Sequence, residues 1–260
     1  HHEAPEVLPE AYAIINPKAP NSLQEDLPLK KIEHLTALAG CGVAFKLAQA
    51  LLIHYEKTDY IPTLIPFVAL GTIADIVPLI GENRYFVQRG LDLISQGKHY
   101  GLKRLLEQSG YSLENLTSEK IAFTVAPRIN ACGRLDDVKA ALNILISENK
   151  QEIEMSIIEV NNFNKVRQDL CQSTFLQACE MLGNSKDSAI VLFNKDWHIG
   201  IIGIVASKLV EKYHKPTFLM TYSEETKSVR CSARSIKGIH LYETISSISE
   251  LLDGFGGHEM

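Results

Sequence analysis

Cysteine is scarce and tryptophan scarcer: the chain holds five of the first and one of the second. Cys41, Cys132, Cys171, Cys179 and Cys231 are scattered, odd in number and never paired as C-x-x-C, so neither a zinc ribbon nor a disulfide framework fits. That pattern belongs to a reducing compartment, and the expected location is cytoplasmic. No apolar run reaches the roughly 20 residues of a membrane span, and no basic-then-apolar leader opens the chain. Internal repeats and low-complexity tracts are missing too. A basic excess is also lacking. The formal net charge of −5 argues against a general nucleic-acid coat protein, although a local basic groove stays open.

What is present is ordinary in bulk. Hydrophobic residues make up 45% and charged residues 22%, as in a soluble globular protein. The 260 residues suit one large domain or two of ordinary size, with a core that needs neither metal nor disulfide merely to fold. The charge is uneven. Residues 1–40 hold three Lys and six Asp or Glu, a net of 3 − 6 = −3, and residues 201–240 hold seven Lys or Arg and three Glu, a net of 7 − 3 = +4. An acidic start and a basic late segment suit a metal on one wall of a cleft and a polyanion on the other.

Along the chain, AYAIINPKAP predicts a short strand over Ala11–Ile15, stopped by Asn16-Pro17. A loop follows to about Ile32, then a helix from His34 through LTALAGCGVAFKLAQALLIHY. IPTLIPFVALGTIADIVPL is strongly apolar with one acid, Asp75, and ENRYFVQRGLDLIS predicts an amphipathic helix ending near Gly97. PRINACGRLDD reads as a polar, Arg-bearing loop after a helical start at Ser118. From Val138 to Leu182 the pattern is helical with little interruption, and no Gly or Pro breaks Gln151–Leu182. That length predicts a bridge between two domains. Beyond GNSKD, strands SAIVLF, KPTFLMTY and SVRCSARS alternate with helices GIIGIVASKLVEKY and HLYETISSISELL, an α/β pattern that ends in the glycine-rich DGFGGHEM.

Several residue groups could carry chemistry. His1 and His2 open the chain, and taken alone they read equally as an affinity tag. Adjacent histidines on a strand point to opposite faces, so both rarely bind one metal; one could be a ligand and the other could touch substrate or a supporting carboxylate. Asp75, among Ile73, Ala74, Ile76 and Val77, is costly to bury unless it caps a helix, pairs with a cation or binds a metal, and the cap is the slightly stronger reading on local grounds. Arg128, Asn130 and Arg134, beside Asp136 and Asp137, suit either phosphate recognition or a salt-bridged turn. Ser232, Arg234 and Ser235 form a possible phosphate cup at a strand end, and Gly256, Gly257 and His258 let backbone N–H groups approach an anion. Each has an ordinary structural alternative. Trp197 and His198 are weaker candidates, because a tryptophan usually serves the core and His198 suits a helix cap.

The order of these segments carries more than any one of them. HHEAPEVLPEAYAIINP, FVALGTIADIVPL, APRINACGRLDD, DWHIGIIGIVASKL, SARS and FGGHEM, in that order, resemble the RecJ family of single-stranded-DNA exonucleases within the DHH phosphoesterase superfamily. The resemblance runs from the first residue to the last, and GTIADIVPL and PRINACGRLDD are its most specific parts. It implies that His1 and His2 are native and belong to an Asp-His-His signature whose aspartate is absent. The chain is then expected to be an internal piece, without the upstream metal-binding motifs and the C-terminal end, and inactive by itself.

The implied fold is α/β: the C-terminal portion of a parallel-sheet DHH domain over residues 1–137, a long helical connector over 138–184, and a truncated DHH-associated substrate-binding domain over 185–260. The implied activity is 5′→3′ removal of mononucleotides from single-stranded DNA by two-metal phosphodiester hydrolysis with Mn²⁺ or Mg²⁺, in repair and recombination. His1 and Asp75 would be metal ligands, His2 would lie beside them, and Arg128, Asn130 and Arg134 would hold the DNA backbone. Ser232, Arg234, Ser235 and Gly256–His258 would engage phosphate near the 5′ end. The family also implies a monomer working with single-strand-binding protein and a helicase. Two rivals stand beside this reading: a superfamily oligoribonuclease, nucleotide phosphatase or cyclic-dinucleotide phosphodiesterase, and a non-catalytic DNA-binding scaffold.

Overall fold

A computed structural model describes residues 8–19, 28–135, 138–257 and 259–260. It divides into two compact units. The first holds the described residues within His1–Gly133 and Asp137–Asn161, the second those within Arg134–Asp136 and Asn162–Met260. Among the described residues no helix is long and apolar enough to cross a membrane.

The first unit is helical. Asn16-Pro17 makes the expected turn, with Lys18 N donating to Asn16 Oδ1 at 3.1 Å and Ala19 N to Asn16 O at 3.0 Å. The strand expected over Ala11–Ile15 does not form: these residues are irregular and exposed. Among the described residues this unit has no strand to pair with it, and an unpaired strand leaves its backbone groups to water. The helix expected from His34 is broken into α1 (Leu29–Thr36) and α2 (Gly40–His54). The break is held from outside, since Asn83 Nδ2 captures the Ala37 carbonyl at 2.7 Å.

Helices α3 (Ile61–Ala74) and α4 (Gly81–Ser95) cross so closely that a side chain at Gly90 would collide with Ala69. Phe45 and Phe86 stack edge to face at 5.1 Å amid Leu38, Ile65 and Val68. Residues 127–134 of PRINACGRLDD are not a loop: α6 (Ser118–Arg134) runs through Pro127. The proline removes one backbone bond, but burial of Ile121, Val125, Ala126, Ala131 and Cys132 along one side outweighs that loss. The long helical stretch is also cut, into α7 (Lys139–Ile146) and α8 (Lys150–Leu182). Asn149 Oδ1 caps α8 by accepting from Gln151 N at 3.0 Å. Residues 138–161 of the expected connector fall in the first unit and the remainder in the second.

The first turns of α8 are clamped to α5 (Tyr100–Gln108) through Glu154. Its carboxylate accepts from Arg104 Nε at 2.6 Å, Tyr100 Oη at 2.8 Å and Gln108 Nε2 at 3.1 Å. Arg104, and then Tyr100, hold the Glu154 carboxyl below its ordinary range. A depressed folded pKa gives stability that is present above the unfolded value, about 4.3, and is lost as pH falls through the folded value. Thermal unfolding of Glu154→Gln is therefore expected to fall less steeply than the parent below about pH 4.3. Parallel acid limbs would show that the clamp contributes nothing.

The second unit is α/β. β1 (Ile190–Phe193) pairs parallel with β2 (Thr217–Ser223) across α9 (Ile199–Tyr213), and β3 (Ser228–Arg234) returns antiparallel to β2. Ile201, Ile202, Val205, Ala206 and Leu209 of α9 are buried with Ile190, Leu219, Cys171 and Ala178, so the core lies between the sheet and the helices. α10 (Leu241–Ser246) follows, and the chain end returns to β3, with Ser235 N donating to Met260 O and Leu241 N to Glu259 O, both at 2.8 Å.

Candidate functional site

In the first unit a cleft of about 360 Å³ is lined by Ala39, Gly40, Cys41, Gly71, Ala74, Asp75 and Asn130. Three helices build it. The small residues Ala39 and Gly40 open α2, whose N-cap makes no side-chain hydrogen bond, so its first N–H groups lie beside the cleft. Asp75 follows the last residue of α3, its N–H bound to Gly71 O at 3.0 Å. Asn130 comes from α6.

Asp75 is thus at the C-terminal end of a helix, the end that repels a carboxylate. The helix-cap reading holds in this form: Asp75 is the C-terminal cap residue of α3, through its backbone N–H. The next residue, Ile76, has φ +55° and is 87% exposed. A β-branched residue in that conformation is strained, a state that persists where surrounding structure requires it. Burial pushes the Cys41 thiol up, so at neutral pH it is a neutral neighbour. Among the described residues no three His, Cys, Asp or Glu side chains gather as a metal site. The cleft therefore offers one carboxylate, in a position that favours a cation and needs further ligands to hold one.

Asn83 fixes this geometry, and the sequence pattern gave no sign of it. It is fully buried, and its Nδ2 donates to Ala37 O at 2.7 Å and Pro78 O at 3.0 Å, tying the segment before α2 to the segment after Asp75. Asn83→Ala leaves both carbonyls unsatisfied and is expected to cost about 1–3 kcal/mol in urea unfolding. An unchanged midpoint would mean that the two segments hold themselves.

Being helical, residues 127–134 do not present their polar side chains as one group. Arg128 Nε donates to Asn161 Oδ1 and Nη1 to Thr124 O, both at 2.8 Å, whereas Asn130 reaches the Asp75 cleft. Arg134 belongs to the second unit, where its Nη1 donates to Gly200 O at 3.0 Å.

There Arg134 and the end of β3 close on the first turns of α9. A Cβ at Gly200 would collide with the Arg134 carbonyl, and one at Gly203 would lie 2.8 Å from Ser232 Oγ and 3.3 Å from Arg234 Nη2. Ser232 and Arg234, two residues apart on β3, share the face toward α9. Glycine lets both guanidiniums approach the helix start, the end that attracts anions. Among the described residues no carboxylate is paired with Arg134 or Arg234. Burial, then the charges of Arg167 and Arg234, hold the Arg134 guanidinium below its ordinary value.

The remaining expected residues divide by environment. Ser235 is buried and its hydroxyl donates to Ile239 O at 2.9 Å, shaping the turn after β3. Trp197 is a core residue whose Nε1 donates to Gln177 Oε1 at 2.9 Å. His198 caps α9, with Nδ1 accepting from Gly200 N at 3.1 Å. Gly256 and Gly257 are exposed, and a side chain at either would meet nothing within 4 Å. His1, His2 and His258 lie outside the described residues.

Residues 186–260 match the family model of the DHHA1 domain, so the second unit carries a DHHA1 domain. The chain as a whole is homologous to a portion of the RecJ exonucleases. It is 39% identical over 262 residues to the single-stranded-DNA-specific exonuclease RecJ of Bacillus subtilis, covering 100% of this chain and 32% of the relative. It is 34% identical to the RecJ of Escherichia coli over 281 residues, covering 100% of this chain and 47% of the relative. The crystal structure of Thermus thermophilus RecJ with Mn²⁺ superposes at a TM-score of 0.75 and 33% identity, over 84% of this chain and 32% of that one. An exonuclease RecJ bound to manganese gives 0.73 at 32% identity, over 92% of this chain and 57% of that one. This chain thus spans from about a third to about half of those two curated relatives.

Proposed function

We propose that this chain is the part of a 5′→3′ single-stranded-DNA exonuclease that carries one wall of a divalent-metal site and a phosphate pocket. Residues 1–137 would be the C-terminal portion of a DHH domain, 138–184 a helical connector and 185–260 the substrate-binding DHHA1 domain. The observation that supports this best is the guanidinium pair of Arg134 and Arg234 at a helix start, with no carboxylate paired to it among the described residues. The phosphates of a single strand would pair with these guanidiniums.

Asp75 and His1 would hold Mn²⁺ or Mg²⁺, with His2 beside them. Such a metal lowers the pKa of bound water and stabilises charge on phosphate. Asn130 donates to a phosphate oxygen in the cleft, and Arg128, preset by Asn161, carries a further backbone contact. Ser232 and Arg234 bind phosphate near the 5′ end, with Ser235 shaping their turn, and Gly256, Gly257 and His258 would add donors. Trp197 and His198 serve as core and cap. The protein works as a cytoplasmic monomer in repair and recombination, with single-strand-binding protein and a helicase.

Gly256→Ala is expected to leave thermal stability unchanged, because its side chain meets nothing in the fold. It is expected to weaken single-strand binding by roughly tenfold, the loss of about one good hydrogen bond. Unchanged binding would remove the loop from the pocket. The function is tested in a protein joining this chain to the additional segments of its longer relatives. With Mn²⁺, a long single strand should be degraded and the matching duplex spared. Cleavage confined to oligomers of two to five nucleotides would instead make it a small-substrate phosphodiesterase, and binding without cleavage a scaffold.

A further inference from the structure

Helix α6 buries Ile121, Thr124, Val125, Ala131 and Cys132 along one side. A helix of this kind keeps its large apolar groups on that side. Phe123 does not. It is 77% exposed, more than any other large apolar side chain in the described α-helices. A single exposed apolar residue is ordinary on a protein surface. What sets Phe123 apart is its alignment.

Asn130 lies seven residues further along the same helix, about two turns, so the two residues share one face. Asn130 is exposed as well and lines the Asp75 cleft. Half-buried Pro127 stands between them. Seven residues at about 1.5 Å each put the ring about 10 Å along the helix axis from the cleft-lining amide. Glu119 and Lys120 precede the ring, and the Lys120 ammonium is engaged, donating to Asn115 O at 2.8 Å. Opposite charges side by side largely offset each other, so the ring is the distinctive group at that end of the face.

We propose that Phe123 is a stacking platform for a base of the single strand, about three nucleotides from the phosphate held at Asn130. The inference rests on the single-strand exonuclease reading and on Asn130 as a phosphate contact. Stacked nucleotides of one strand rise about 3.4 Å each, so about 10 Å corresponds to three of them. An aromatic face accepts any base, which suits a nuclease that removes successive nucleotides whatever their sequence.

The test uses the protein that joins this chain to the further segments of its longer relatives. Thymidine strands of increasing length are titrated, without metal, into the parent, Phe123→Leu and Phe123→Tyr. Phe123→Leu keeps an apolar side chain but loses the flat ring. It is expected to bind long strands roughly 5- to 150-fold more weakly, the loss of one base stack. It should match the parent on strands too short to span the cleft and the ring, below about four nucleotides. Phe123→Tyr should bind like the parent at every length. Melting midpoints without DNA should be the same in all three proteins. Equal binding of long strands by Phe123→Leu overturns the proposal, as does equal weakening at every length. A lower melting midpoint in Phe123→Leu would assign the ring to packing against the joined segments, which also overturns it. If the parent binds no long strand, the exonuclease reading itself fails and the proposal falls with it.

Discussion

Asp75→Asn is expected to lower single-strand degradation by at least about 100-fold, the loss already seen when residues that merely support metal ligands are removed. The assay uses a protein that joins this chain to the further segments of its longer relatives. Asp75 follows the last residue of α3, where the helix presents its negative end, and Ile76 beyond it is held at φ +55°. Removing the charge is expected to abolish Mn²⁺-dependent protection against unfolding together with the activity. A variant that unfolds easily and also loses activity would make Asp75 a structural residue, and one with full activity would remove it from the site.

Arg234→Ala should act through binding rather than chemistry. Its guanidinium lies over Gly203 beside Ser232, and among the described residues no carboxylate is paired with it. Charge-assisted hydrogen bonds of this kind contribute about 1.5–3 kcal/mol, so affinity for a single strand should fall by roughly 10- to 150-fold. The salt dependence should weaken by about one phosphate contact. The KM should rise with kcat nearly unchanged. A fall in kcat at unchanged KM would place Arg234 in the chemical step.

The second unit was largely legible in the sequence. Its strands are short apolar runs bounded by turn residues, and its helices begin at recognisable caps such as His198. The first unit was less so. Pro127 and the polar residues around it read locally as a loop, yet burial on one side of α6 keeps the helix intact. The AYAII stretch has strand propensity but no ladder partner among the described residues. Local propensity decides neither case, because burial in one and pairing in the other come from residues far away in sequence.

The site shows the same limit. Asp75 stood out as the lone acid in an apolar run, but its place at a helix C-terminus depends on where α3 ends. Arg128 and Asn130 looked like one group because they are close in sequence. Helical geometry separates them, one to Asn161 and one to the Asp75 cleft. Asn83 carried no motif at all.

We propose that Asp75 and the Arg234–Ser232 pair serve one reaction, at the 5′ end of a single strand. The most direct measurement places the label at one end or the other of the same single-stranded oligonucleotide, with Mn²⁺, in the protein that joins this chain to the segments of its longer relatives. The account predicts immediate release of the 5′ label as a mononucleotide, with the 3′ label appearing only at the end of digestion. Early release of the 3′ label, or of internal fragments, would contradict it.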